Sequence, residues 1–189
     1  MRLLFVIIMA VVAFPAQGSD SKAKVASLVE KMMTNAYAYG VCDALEALEE
    51  FDRGNSDLVA DEFLSGFLLE EDFGSQIPGA DLVSGCRSAR QKHDTAKALF
   101  QSKGEKMATQ FDALTGRSYK AGFCKVAVGL DGFSENSGNA NEMEFAEGFS
   151  NATLKDVLEE GDQSSHDALC FGYLLKYASD KSEIKSESE

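Results

Sequence analysis

Residues 37–67 read YAYGVCDALEALEEFDRGNSDLVADEFLSGF, and residues 119–149 read YKAGFCKVAVGLDGFSENSGNANEMEFAEGF. Laid over each other, Tyr37, Gly40 and Cys42 fall on Tyr119, Gly122 and Cys124, and Leu48 and Phe51 fall on Leu130 and Phe133. The block Glu62-Phe63-x-x-Gly66-Phe67 falls on Glu144-Phe145-x-x-Gly148-Phe149. Helical composition alone does not hold Tyr, Gly, Cys, Phe and Gly in one register. A fixed self-similarity of this kind is the mark of a duplicated structural unit.

The register extends in both directions. Upstream, Lys24 and Ala26 match Lys106 and Ala108. Downstream, a two-residue insertion brings Cys86 onto Cys170, Lys92 onto Lys176 and Lys97 onto Lys181. The expected organisation is repeat 1 over 22–104, repeat 2 over 105–179 and a charged flexible tail over 180–189 (DKSEIKSESE). Gly104 marks the seam.

Each repeat reads as helices. Val25, Leu28, Val29, Met32 and Ala36 recur at steps of three and four, and Tyr37, Val41, Ala44, Leu45 and Leu48 continue the stripe. The polar stretch 52–58 (DRGNSDL) ends it, a short helix carries Phe63 and Phe67, and Ile77-Pro78-Gly79 punctuates the chain. One long helix then fits 80–103. In the second copy the same order predicts a helix to about Phe133, a polar loop, a helix around Phe145 and Phe149, and a last helix bearing Cys170. The fold class is therefore all-α. Because glycine costs about 1 kcal/mol in a helix relative to alanine, Gly40/Gly122 and Gly66/Gly148 are expected where helices approach closely. Tyr37 and Tyr119 are expected as core aromatics whose hydroxyls reach polar partners.

Eighteen basic against 31 acidic residues give a formal charge of −13, which excludes a nucleic-acid or acidic-membrane partner because both demand a positive footprint. Met1-Arg2, the apolar run 3–14 (LLFVIIMAVVAF) and Pro15-Ala16-Gln17-Gly18 read as a cleaved secretory signal over 1–18. Twelve apolar residues are too few to span a bilayer. The remaining chain is expected to be exported to a periplasm or extracellular space, with no membrane association. In an oxidising compartment Cys42, Cys86, Cys124 and Cys170 read as two disulfides rather than a zinc site, with three connectivities open.

The pattern Tyr-x-x-Gly, a polar turn and Phe-x-x-Gly-Phe over 37–67 resembles the N-terminal dimerisation module of FKBP-type peptidyl-prolyl isomerases, including the macrophage infectivity potentiator proteins. SYKAGFCKVAVGL and EFAEGF carry it in the second copy. In that family the module's helices intertwine with those of a second subunit, and a long helix leads to the catalytic domain. This chain departs from the family in carrying cysteines and in having no strand-rich isomerase sequence after the second copy. The resemblance implies the scaffold part without prolyl isomerisation, in a single-chain version packed about a pseudo-two-fold axis. Duplication of a closed unit would favour Cys42–Cys86 with Cys124–Cys170. Cross-repeat pairing (Cys42–Cys170 with Cys86–Cys124) is the symmetric alternative.

Candidate chemistry is sparse. Residues 131–142 (DGFSENSGNANE) have an acidic residue at each end of a twelve-residue span, but Phe133 stands at a ligand place and Asn136 where a calcium loop needs glycine. A polar inter-helix loop is expected there. His93 and His166 do not share a register position, and neither sits in a nucleophile motif. Glu62 and Glu144 read as helix-start charges. Asn151-Ala152-Thr153 has the form of a glycosylation acceptor, and Asn151 otherwise reads as a helix N-cap. No catalytic, cofactor or metal residue is assigned. The expected function is non-catalytic, through self-association or protein clients, with the edges of Phe63, Phe67, Phe145 and Phe149 as contact candidates and core burial as their commoner fate. A small secreted ligand-binding or inhibitor/immunity-type protein, with a cavity lined by Met32, Tyr37 and Leu48, is the alternative.

Overall fold

The computed structural model describes residues 19–55, 63–64, 66–67, 82–158 and 165–188. Among them are five long helices and no strand. They are α1 (Ser19–Asn55), α2 (Leu82–Ser102), α3 (Glu105–Ser137), α4 (Ala140–Val157) and α5 (His166–Ser188). Phe63, Leu64, Gly66 and Phe67 are also helical. The signal expected over 1–18 and the turn at Ile77-Pro78-Gly79 lie outside the described residues, as does Glu62.

The two longest helices, α1 and α3, pack on each other and organise the rest. Their apolar stripes feed two cores. The larger core gathers Tyr37 to Leu48 of α1, Ala121 to Leu130 of α3, the four phenylalanines of the repeated motif and all four cysteines. The smaller one joins Ala26, Val29, Met32 and Met33 to Phe111, Leu114 and Ile184. One disulfide ties Cys42 on α1 to Cys86 on α2, and a second ties Cys124 on α3 to Cys170 on α5. These are the pairings that duplication of a closed unit would favour.

Three breaks in the backbone follow from local chemistry. Gly104 separates α2 from α3 at φ 111°, a conformation that favours glycine, at the expected seam. Gly138 ends α3 in the left-handed conformation, φ 67°. Asn139 then caps α4: its side chain accepts from the Asn141 amide, which satisfies one open backbone donor of the first turn, and donates to Glu142 Oε1.

These caps correct two expectations. The loop expected over 131–142 is mainly helix, with only Gly138 and Asn139 between α3 and α4. Its polar residues do not break the helix because Ser134 is buried, and Ser134 and Ser137 return their hydroxyls to the carbonyls of Asp131 and Ser134. Asn151 is an exposed residue inside α4, so it caps nothing; Asn139 holds that role.

The flexible tail expected over 180–189 is likewise corrected, since α5 runs to Ser188. Ile184 is 1% exposed in the smaller core. Asp180 is buried beside Lys176, which donates to it, and Arg117 Nη2 lies 3.9 Å away. One apolar side chain and one paired carboxylate fix a segment that is charged almost everywhere else.

Candidate functional site: two interhelical grooves

The sequence-selected residues are brought together as packing. Phe63, Phe67, Phe145 and Phe149 are all buried, which removes them as client contacts. Phe51 of the first half packs edge-on against Phe145 and Phe149 of the second, and Phe133 of the second packs edge-on against Phe63 of the first. Gly40 and Gly122 sit where α1 and α3 meet. A Cβ on Gly40 would lie 1.9 Å from the Tyr119 carbonyl oxygen, and one on Gly122 would lie 2.0 Å from that of Tyr37. Gly148 has the Phe51 ring beside it at 3.2 Å from an added Cβ, but Gly66 is exposed with open space around it, so the close approach expected there is absent. Met32, Tyr37 and Leu48, expected around a cavity, are core residues; the Tyr37 ring stacks on Tyr177 with centroids 4.5 Å apart.

A first groove, of about 710 Å³, opens between α1 and α2 beside the Cys42–Cys86 bridge. Its polar wall is built by three helices. Arg90 of α2 donates to Asp43 Oδ1 at 2.6 Å and to Glu46 Oε2 at 2.9 Å, both on α1. The Tyr119 hydroxyl of α3 donates to Asp43 Oδ2 at 3.0 Å. The Arg90 guanidinium lies over the Tyr39 ring. Hydrogen bonds that Arg90 donates to Glu46 and Asp43 hold its charge even more firmly than usual. Burial, then the Asp43 charge, pushes the Tyr119 phenol well above its ordinary range. His93 packs between Tyr39 and Phe111, and burial pushes its imidazole toward the neutral form. Arg90 bridges two carboxylates and so ties α2 to α1, and the cluster serves as an interhelical clasp.

A second groove, of about 780 Å³, opens between α3, α4 and the start of α5. Asp131, Glu135, Glu147 and Asp167 line it, and none of the four is ion-paired among the described residues. Burial, then the charges of Asp167 and Glu135, push the Asp131 carboxyl up to about 6. Ser150, 7% exposed, lines the same groove, and its hydroxyl has no hydrogen-bond partner among the described residues. Met143 and Phe171 add apolar surface at 49% and 58% exposure. His166 stands at the groove's edge, far in sequence from His93 and in the other half. Sequence reading missed both grooves; the visible signal for the second was Phe171 and Leu175, two large apolar residues one helical turn apart on the face of α5 away from Cys170.

Among the described residues no group of three or more His, Cys, Asp or Glu side chains is arranged to hold a metal ion, and no helix is long and apolar enough to cross a membrane. Against known proteins the chain matches no family model, no curated protein and no solved structure.

Proposed function

We propose that the protein is an exported, non-catalytic helical scaffold that holds other polypeptides, built from two copies of one unit packed about a pseudo-two-fold axis. The observation that carries the architecture is reciprocity at the crossing. Gly40 meets the Tyr119 carbonyl and Gly122 meets the Tyr37 carbonyl, the same residue pair with the halves exchanged. The exchanged phenylalanines support it, because Phe51 covers the second half's motif while Phe133 covers the first half's. Each half thus buries apolar surface that it could not bury alone.

In this proposal one polypeptide stands in for the two intertwined subunits of the dimerisation arm of FKBP-type isomerases. Kinship with that arm rests on the repeated Tyr-x-x-Gly and Phe-x-x-Gly-Phe motifs. Export is supported by the apolar run at 3–14 and by the use of all four cysteines in disulfides, which persist in oxidising compartments. The place for a client moves from the buried phenylalanines to Met143, Phe171 and Leu175, which are half-exposed or more beside the second groove.

The test is aggregation of a reduced, unfolding client protein followed by light scattering with this protein at equimolar ratio. Suppression of the scattering is expected, and a time course unchanged from client alone would overturn the scaffold reading.

A further inference from the structure

The sequence register sets Glu46, Glu49 and Arg87 of the first groove on Val128, Asp131 and Phe171 of the second, yet the two grooves differ in charge balance. In the register that sets Cys86 on Cys170, Arg87 falls on Phe171 and Arg90 on Leu174. The first groove therefore carries its own cations, and Arg90 satisfies Asp43 and Glu46. The second has apolar side chains at those positions, and none of its four carboxylates is ion-paired among the described residues. Asp131 is half-buried with the exposed Asp167 and Glu135 charges beside it, an unfavourable arrangement that an incoming cation relieves.

We infer that the groove between α3, α4 and α5 binds a cationic amphipathic segment of a partner polypeptide. A Lys or Arg enters among Asp131, Glu147 and Asp167, and an adjacent apolar side chain rests on Phe171 and Met143. The buried Ser150 hydroxyl supplies a hydrogen bond that the described residues leave unused. A polypeptide rather than a small amine fits, because the apolar surface continues along α5 to Leu175, 61% exposed, one turn beyond the groove. The raised Asp131 carboxyl agrees with a site whose charge is completed from outside. This inference rests on the scaffold reading and gives its client surface a chemistry.

The test is fluorescence anisotropy with a labelled dodecapeptide of Lys and Leu, compared with a Lys/Ser and a Glu/Leu peptide of equal length. The Lys/Leu peptide is expected to bind more than tenfold tighter than either of the others. The triple variant Asp131→Asn, Glu147→Gln, Asp167→Asn is expected to weaken binding at least tenfold. A charge-matched control, Glu49→Gln, Glu50→Gln, Asp94→Asn, is expected to change it less than twofold. Phe171→Ala should weaken binding about fivefold, and Ser150→Ala should weaken it with the melting temperature unchanged or raised. Equal binding of the Lys/Ser peptide, or equal losses in the triple and its control, would reduce the effect to overall acidity and overturn the inference. If the peptide fails to bind while client aggregation is still suppressed, the groove assignment falls and the scaffold reading stands. If peptide binding follows the variants but aggregation is not suppressed, the scaffold reading falls and the groove stands.

Discussion

A side chain on Gly40 would collide with the backbone of Tyr119: its Cβ would lie 1.9 Å from the carbonyl oxygen and 2.8 Å from the carbonyl carbon. The obstacle is main chain of another helix, so no rotamer change relieves it, and α1 and α3 must separate instead. Gly40→Ala and Gly122→Ala are each expected to destabilise by about 3 kcal/mol or more, the upper range for overpacking, despite the gain of about 1 kcal/mol that alanine brings to a helix. Gly116→Ala, with open space around it in the same helix α3, isolates that gain and should stabilise by about 0.5–1 kcal/mol. Urea midpoints measure all three. A Gly40→Ala midpoint at or above the unsubstituted protein's would show that the crossing is not this close.

The two disulfides close loops of 44 and 46 residues and should contribute almost equally, about 4 kcal/mol each by restriction of the unfolded chain. Replacing Cys42 and Cys86 together by alanine, or Cys124 and Cys170 together, is expected to lower stability by similar amounts. Denaturant titration of the two double variants checks this. A strong asymmetry would mean that one half retains structure in the unfolded ensemble.

Asp43 joins three helices, accepting from Arg90 and from Tyr119. Asp43→Ala leaves the Tyr119 hydroxyl without its acceptor and should cost about 1–3 kcal/mol, while Tyr119→Phe should cost about 1 kcal/mol. The double variant should cost less than the sum, which a double-mutant cycle reads directly. The raised Tyr119 phenol also has a pH signature. Its neutral form is favoured in the folded state, so this contribution is complete below pH 10 and is lost as pH rises beyond the unfolded value. Tyr119→Phe should flatten the alkaline loss of stability.

The helices were legible because apolar spacing at steps of three and four is a local signal, and the two disulfides because four cysteines in one chain pair evenly. The tail was not, because a lone Ile184 among charges has no obvious stripe; its partners Tyr177 and Asp180 lie on one face only once the helix exists. Residues 131–137 misled for the opposite reason. Gly, Ser and Asn argue for a loop, yet Phe133 packs on Phe63 from the other half, and that tertiary contact outweighs weak helix propensity. The clasp and the second groove are assembled from three helices each, and no spacing along one segment encodes such a meeting. Ile184→Ala tests the corrected tail: a loss of about 2–4 kcal/mol is expected in a thermal or denaturant melt, against almost none for an unpacked terminus.

Asp131 offers a pH test of the second groove. Its carboxyl, raised to about 6 by burial and by Asp167 and Glu135, holds a proton more tightly in the folded state than in the unfolded one. Stability from this group is therefore full below about pH 4, the ordinary carboxylate range, and is lost as pH rises to about 6. Partial exposure limits the loss to about 1–2 kcal/mol. His93 acts in the opposite sense, since its buried neutral ring loses stability as pH falls below about 6.5. The two slopes overlap in the whole protein, so the comparison must be between variants. Asp131→Asn is expected to be more stable than the unsubstituted protein at pH 7 and equal to it near pH 4, with the difference opening between those values. Urea midpoints at pH 4, 5, 6 and 7 measure it. A difference that stays constant across that range would remove the strain assigned to Asp131, and with it the electrostatic reason for the groove to accept a cation.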